Sequence, residues 1–348
     1  MAPRRESGHR RPRLSPAMAD VRRAVREWAG LVDATTGGYL VALSGGGDSL
    51  ALAWALSEEA PGLALPVGAV IVDHQLQAGS AERATIAAEL ATGWGLSPVI
   101  IKTVTVGDAG GPEEAARKAR YQAFSEALKE TGAKGALLAH TKDDQAETVL
   151  LGLARGSGPS GLKGMAVREG MVHRPLLELS RETLRQALRD AGVEWWDDPH
   201  NDDDRFARSR VRTHLHPRVE QELGPGVADS LARTASLFRQ DSEALDGFAQ
   251  ACISEHVDAE TVGQRSVRVE ILLENNSAIS SRVLRSMVMA VGGGPPSFAQ
   301  MSQIHGLLTQ WRGQSAIDLS GATLERVEGR IVVKARIPKA VKGIRRGL

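Results

Sequence analysis

At 348 residues, with 43 Lys and Arg against 42 Asp and Glu, the chain has room for two domains and carries no bulk charge that would announce nucleic acid. It has no run of eighteen apolar residues and no apolar signal core at its start, so a soluble, cytoplasmic protein away from membranes is expected. The single cysteine, Cys252, excludes an internal disulfide framework, and its neighbours Leu245, Phe248, Ala249 and Ile253 mark it as a buried structural thiol.

In chain order, Arg4, Arg5, Arg10, Arg11 and Arg13 load a tail over residues 1–14 that is read as disordered. Ser15-Pro16 then opens a helix by N-cap and first-turn preference, with Val21, Val25, Trp28 and Leu31/Val32 on one face. Strands are expected at Tyr39 to Leu43, Pro66 to Val72, Pro98 to Val106 and Gly135 to Ala139. Helices are expected after Ser49, over Ala81 to Trp94, from about Glu113 to Thr131, and from the cluster at residues 140–148. This alternation argues an α/β fold with a doubly wound parallel sheet. In such sheets ligands bind beyond the carboxyl ends of the strands. The polar clusters at 44–49, 73–75 and 140–147 all fall there.

The first cluster carries the most chemistry. Ser44-Gly45-Gly46-Gly47-Asp48-Ser49 joins a strand to a helix N-terminus, where glycines admit an anion and backbone N–H groups and the helix dipole receive it. It has neither the lysine of a Walker loop nor the spacing of a dinucleotide loop. Such a loop suits a whole pyrophosphate held by Ser44, Ser49 and backbone amides, with Asp48 placed for Mg²⁺. A glycine-rich turn of no chemical importance is the plain alternative. Asp73 and His74 end the second strand where a nucleoside would lie, although such a turn also caps a helix. In the third cluster, after the fourth strand, His140, Asp144 and Glu147 are spaced to share one helical face toward the loop, while carboxylates in a first helical turn also serve the dipole.

The loop resembles the SGGxDS signature of the PP-loop, or N-type, ATP pyrophosphatases, which adenylate a carbonyl oxygen, release pyrophosphate and let a nucleophile displace AMP. Within that superfamily the run from His140 to Thr148 resembles the H-x-x-D-D-Q-x-E-T element of tRNA(Ile)-lysidine synthases. The same family is similar at Leu151 to Gly156, at Glu113 to Tyr121 (ending Ala-Arg-Tyr), and at Arg174-Pro175-Leu176-Leu177. The likeness continues through Asp198-Pro199-His200-Asn201 and Phe206 to Arg212. The resemblance spans roughly residues 39 to 217 and departs at Ser209, where the family usually has asparagine. It implies ATP as substrate, bound by Ser44 to Ser49, Asp73, His74 and His140, with Mg²⁺ on Asp48 and Asp144. It further implies catalytic Asp48, Arg120, Asp144 and Glu147, and a substrate site of Arg120, Asp144, Glu147, Arg208 and Arg212. The reaction implied is ligation of L-lysine to C2 of the wobble cytidine in an isoleucine tRNA with anticodon CAU. One cysteine is too few for the persulfide or iron–sulfur chemistry of sulfur-transferring members, and no glutaminase portion is present. Another PP-loop tRNA modifier, or a silent nucleotide-binding regulator, is the alternative; intact Asp48, Asp144 and Glu147 speak against silence.

A catalytic domain is placed at residues 15–223 and a second, mainly helical domain at 224–348. The latter has helices at Val227 to His256, Ala278 to Val291 and Ser297 to Trp311. It also has an apolar segment at Val267 to Leu273, and strand-like runs at Ala316–Leu319, Thr323–Val327 and Arg330–Ile337. Its basic end (Arg330, Lys334, Arg336, Lys339, Lys342, Arg345, Arg346) suits tRNA phosphates. From the residues alone it could equally be a dimerisation module, and a homodimer is compatible with the pattern. Trp195 and Trp196 fit either base stacking or the core.

Overall fold

Helix α1 (Pro16–Ala29) begins at the hydroxyl–proline pair: Met18 N–H donates to Ser15 Oγ at 3.2 Å. Val21, Val25 and Trp28 are buried, whereas Leu31 is 74 % exposed because the helix stops at Gly30 before reaching it. The computed structural model describes residues 14–32, 37–75, 79–105, 107, 111–197, 203–259 and 261–336. The Arg-rich start, residues 198–202 and the basic end past 336 lie outside them. The chain divides into two compact units, Met1–Phe238 and Arg239–Leu348.

In the first unit β1 (Tyr39–Ala42) runs into α2 (Gly47–Glu59), then β2 (Val67–Asp73), α3 (Ser80–Gly93), β3 (Val99–Thr103), α4 (Pro112–Thr131), β4 (Gly135–Leu137) and α5 (Lys142–Ala154). After these come α6 (Pro159–Leu162), the short strands β5 (Arg168–Glu169) and β6 (Val172–His173), and α7 (Arg181–Ala191). The sheet order is β3-β2-β1-β4-β6-β5, parallel except for β5. Side chains alternate across β1. Tyr39, Val41 and Leu43 join a core with α1, α2, α3 and α7, while Leu40 faces Phe124, Ala127 and Leu128 of α4. Every residue from Leu50 to Leu56 is buried, so α2 is enclosed rather than amphipathic. At Gly68 an added Cβ would lie 2.3 Å from the Pro98 carbonyl, so β2 accepts no side chain there.

Next come α8 (Ala207–Arg210), a π-helical turn at Val211–Leu215, α9 (His216–Leu223) and α10 (Val227–His256). The first turns of α10 belong to the first unit: Ala235 is fully buried with Val149 and Leu162, and Leu231 and Phe238 pack beside them.

In the second unit β7 (Gln264–Arg268), β8 (Ile317–Leu319), β9 (Ala322–Val327) and β10 (Arg330–Ala335) form an antiparallel sheet in the order β7-β10-β9-β8. Helices α11 (Val269–Glu274), α12 (Ser277–Ala290) and α13 (Phe298–Thr309) complete it. The apolar segment at Val267 to Leu273 is thus divided, ending a strand and starting a helix. Val267 pairs with Ile331, and only that residue of β7 is buried, which hid the strand from hydrophobic patterning. Val283, Leu284, Ile304, Leu324, Ile331 and Val333 form the centre of its core, and Cys252 is buried among them. Among the described residues no helix is long and apolar enough to cross a membrane.

Candidate active site

From β1 the chain builds β2 and β3 on one side, then returns to place β4 on the other. The connections therefore diverge at the carboxyl ends of β1 and β4, where open α/β sheets take their ligands. A cavity of about 720 Å³ opens there, with Ser44, Asp48, His74, Arg120, His140 and Asp144 in its wall.

The loop after β1 is folded upon itself. Ser49 Oγ accepts from Ser44 N–H at 3.2 Å, donates to the Gly46 carbonyl at 2.9 Å, and lies 3.1 Å from Ser44 Oγ. Gly45 has φ +81°, a region costly for any residue with a Cβ. Gly46 caps α2 without a side-chain hydrogen bond, so the N-terminal amides face the cavity with no side chain of the cap occupying them. A Cβ on Gly47 would lie 3.2 Å from the Trp195 ring. The tryptophan pair therefore braces this loop. Trp195 packs on the core, while Trp196 donates its backbone N–H to the Gly45 carbonyl at 3.3 Å and carries the Arg83 guanidinium 4.4 Å from its ring centre.

Helix α5 supplies the second half of the site. Thr141 caps it, and Asp144 Oδ2 accepts from Thr141 N–H at 2.8 Å and Thr141 Oγ1 at 2.9 Å. The capping role and the site role are thus held by one side chain. Its other oxygen, Oδ1, meets Arg181 at 3.0 Å, Arg208 at 3.2 Å and Arg212 at 3.3 Å. One turn on, Glu147 receives Arg208 Nε and Arg212 Nε, each at 2.7 Å, with Arg181 at 3.6 Å. Arg181 also reaches back to Asp48 Oδ2 at 3.2 Å. Three acids and three arginines thus close a neutral cluster. Burial opposes ionisation of Asp144, but Arg181, Arg208, His140 and Arg212 outweigh it and hold the carboxyl well below the usual carboxylate range. Asp48 moves the other way: burial raises it despite Arg181, and Asp144 adds to the rise.

His140 precedes α5, reaching the cavity from the strand end rather than from the helical face it was expected to share. Arg174, almost wholly buried, donates Nε–H to His140 Nδ1 at 3.3 Å and another N–H to the Ala166 carbonyl at 2.7 Å. Burial, with Arg208, Arg174 and Arg120 outweighing Asp144, lowers His140 to about 3, so the ring is neutral. His74 is also lowered, by burial and Arg120 against Asp73. Asp73 accepts from Gln75 N–H at 2.9 Å, which makes it a turn cap behind the cavity wall. Ser209 is buried in α8.

Sequence reasoning passed over Arg181 and Arg185. The available sign was a basic pair four residues apart on α7 opposite buried Leu184, Ala187 and Leu188, a pattern that any solvated helix face shows. For a metal, Asp48 Oδ1 is the informative atom: it is buried and has no hydrogen-bond partner. Among the described residues no three His, Cys, Asp or Glu form a metal cage. One carboxylate completed by substrate phosphates and water is how Mg²⁺ is usually held, so the residues fit.

Residues 20–219 match the PP-loop domain family, and residues 268–332 match the TilS substrate binding domain. The chain is 49 % identical to a tRNA(Ile)-lysidine synthase of Leifsonia xyli, over 83 % of this chain and 87 % of that one. It is 46 % identical to that of Thermobifida fusca, over 92 % and 98 %. The U34-tRNA thiolase NcsA from Methanococcus maripaludis shares the fold, with TM-score 0.53 at 19 % identity over 64 % of this chain and 80 % of that one. A PP-loop match over more than half its length and relatives this similar over more than four fifths of the chain establish that the chain belongs to the tRNA(Ile)-lysidine synthase family.

Proposed function

We propose that the protein is an ATP-dependent ligase that joins L-lysine to C2 of the wobble cytidine of an isoleucine tRNA with anticodon CAU. The observation that carries this is one cavity shared by a glycine loop shaped for pyrophosphate and by the buried Asp144 of α5, one turn from Glu147. The C2 oxygen of cytidine attacks the α-phosphate of ATP and pyrophosphate leaves. The ε-amine of lysine then attacks C2, loses a proton, and AMP departs with the former C2 oxygen.

In this reading Ser44, Ser49 and the amides of Gly45 to Gly47 hold the pyrophosphate, and His74 with Asp73 behind it borders the nucleoside. Asp48 is the residue for Mg²⁺, which supplies neutralisation of phosphate charge when bound. Asp144 was expected to share that ion, yet its Oδ2 is committed to the helix cap. Its remaining oxygen and Glu147 are better suited to the ammonium groups of lysine. Arg208 and Arg212 set the position of Glu147, and Arg120 in the cavity wall suits a carboxylate or the adenylate. The match of residues 268–332 to a substrate binding domain supports the second unit as a tRNA-contacting module. The family's single-cysteine chain here leaves no relay for sulfur.

Incubation with labelled lysine, ATP and bulk tRNA tests the reading. Label entering tRNA at one cytidine, with AMP and pyrophosphate in equal amounts, is expected. Sulfur-dependent modification, or ATP binding without incorporation, would replace it with another PP-loop modifier or a silent regulator.

A further inference from the structure

Two arginines of α7 have no part in the reaction as written. Arg181 and Arg185 stand one helical turn apart, and both line the cavity beside Ser44 to Ser49. The loop itself lacks the lysine with which a Walker loop holds phosphates. A pyrophosphate leaving group develops charge, and stabilising it calls for fixed cations at the point of departure. Arg185 has the right character. Its Nε is buried without a hydrogen-bond partner, while one terminal nitrogen is tethered by Asp197 at 3.0 Å. Arg181 is mostly buried and touches Asp48, Asp144 and Glu147 together.

We propose that Arg181 and Arg185 are the cationic half of the polyphosphate site, and that Arg181 exchanges the three carboxylates for the phosphates of ATP. The second clause rests on the ligase reading above. In the resting cluster three acids balance three arginines. An ammonium entering it would meet no surplus negative charge and three competing guanidinium groups. Once Arg181 turns to phosphate and Asp48 to Mg²⁺, Asp144 and Glu147 face two guanidinium groups instead of three, and an entering ammonium meets one competing positive charge fewer. Nucleotide thus opens the lysine site, and the coupling is reciprocal. The short travel is built in, because Arg181 already contacts the carboxylate next to the loop.

The test is calorimetry on the full chain with Mg²⁺, using α,β-methylene ATP and free lysine as separate ligands. Wild type is expected to bind lysine about tenfold or more tightly with the analogue than without it. Arg185→Gln should weaken the analogue by about tenfold and keep the coupling, because one charged hydrogen-bond donor is lost. Arg181→Gln should weaken the analogue similarly and let lysine bind the free protein within about threefold of its affinity for the complex. Arg181→Lys should restore most of the analogue's affinity, which separates a charge effect from a folding defect; far-UV spectra and melting curves accompany each variant. Analogue affinities of both Gln variants within about twofold of wild type overturn the phosphate assignment. Lysine binding to wild type that ignores the analogue overturns the exchange. If lysine binds none of the proteins while both Gln variants weaken the analogue, the ligase reading fails and the phosphate assignment stands.

Discussion

The two units solve opposite problems with their interiors. The first buries Glu59, Asp73, Asp144, Glu147, His173 and Arg174, whereas the buried polar residues of the second, among those described, are Ser242 and Ser280. Taking an ion out of water costs several kcal/mol even after relaxation, and pairing returns that only where geometry is good. The first unit meets the cost at a few places, mostly at the carboxyl edge of its sheet, where substrates with matching charges would arrive. The second needs no such arrangement, and Ser280 simply donates its hydroxyl to the Leu272 carbonyl at 2.6 Å. Buried charge in this molecule therefore gathers at the site, with Glu59, paired to Arg22 and Arg26, as an exception, and buried hydrocarbon marks support.

The sharpest way to break that contrast is at Asp48. Replacing it with Ala removes a carboxylate whose one oxygen has no partner and whose other faces Arg181, with no packing role. Turnover should fall by about a hundredfold to a thousandfold, the range for losing one electrostatic contact to developing charge. The melting temperature should hardly move. Pyrophosphate release near the wild-type rate would remove Asp48 from the chemistry.

Glu147→Gln should show two losses at once. The lysine KM is expected to rise roughly ten- to a hundredfold, with much less change for ATP, because an ammonium loses a charged partner. Stability should also fall by about 3–5 kcal/mol, since Arg208 and Arg212 are left facing a neutral amide in a buried setting. A residue that only helped a helix dipole would cost under about 1 kcal/mol. The double variant Glu147→Gln with Arg212→Gln should recover part of the stability and none of the lysine affinity, a coupling that a double-mutant cycle reads directly.

In the second unit the comparable experiment touches only hydrocarbon. Leu284 is fully buried, and Leu284→Ala should destabilise that unit by about 2–5 kcal/mol while leaving nucleotide binding unchanged. Truncation sharpens the same point. We propose residue 238 rather than 223 as the end of the catalytic domain, because Leu231, Ala235 and Phe238 pack on Val149 and Leu162. A chain ending at 238 should bind nucleotide like the whole protein. One ending at 223 should melt earlier, because Val149 and Leu162 lose the residues that cover them, and full burial of such a side chain contributes about 1.5–3 kcal/mol. Identical melting of both truncations would leave the cut at either place equally sound.

Much of this was readable in the sequence where one residue type answers one local demand. Gly45, Ser49 and Asp48 follow directly from what an anion needs at a helix start, and the carboxylates of the first turn of α5 were open to a helix-terminus role, which Asp144 fills with Thr141. Strands β1, β2 and β4 announced themselves because both faces are largely buried, whereas the two-residue β6, parallel to β4, went unpredicted. What stayed hidden depends on partners distant in sequence. Arg181 comes to Asp48 across 133 positions, and Arg174 comes to His140 across 34. No local pattern distinguishes either from a solvated arginine. Strand β7 escaped for the complementary reason, since its pairing is with β10 and only Val267 turns inward.

The smallest effect at neutral pH belongs to His173, a buried group of the first unit outside the proposed chemistry. Trp28 donates its indole N–H to His173 Nδ1 at 3.0 Å, and Trp28 and Tyr39 meet the ring edge-on. Burial lowers the ring from 6.5 to about 4, and Arg168 and Arg174 add to that. Above pH 6.5 both folded and unfolded chains keep it neutral, so it contributes nothing to pH dependence. Between 6.5 and about 4 the unfolded chain takes up a proton that the folded one refuses, so stability declines as pH falls. Below about 4 both states are protonated and the decline ends. The whole drop is at most about 3 kcal/mol, since each tenfold difference in proton affinity between the two states is worth about 1.4 kcal/mol. Urea melts of wild type and His173→Gln at pH 7, 6, 5 and 4.5 read it as a difference. The variant should be weaker by about 1–2 kcal/mol at pH 7, where it loses ring packing, and the gap should close as the pH is lowered. A gap that stays constant from pH 7 to 4.5 would mean that His173 takes its proton in the folded state as readily as in the unfolded one.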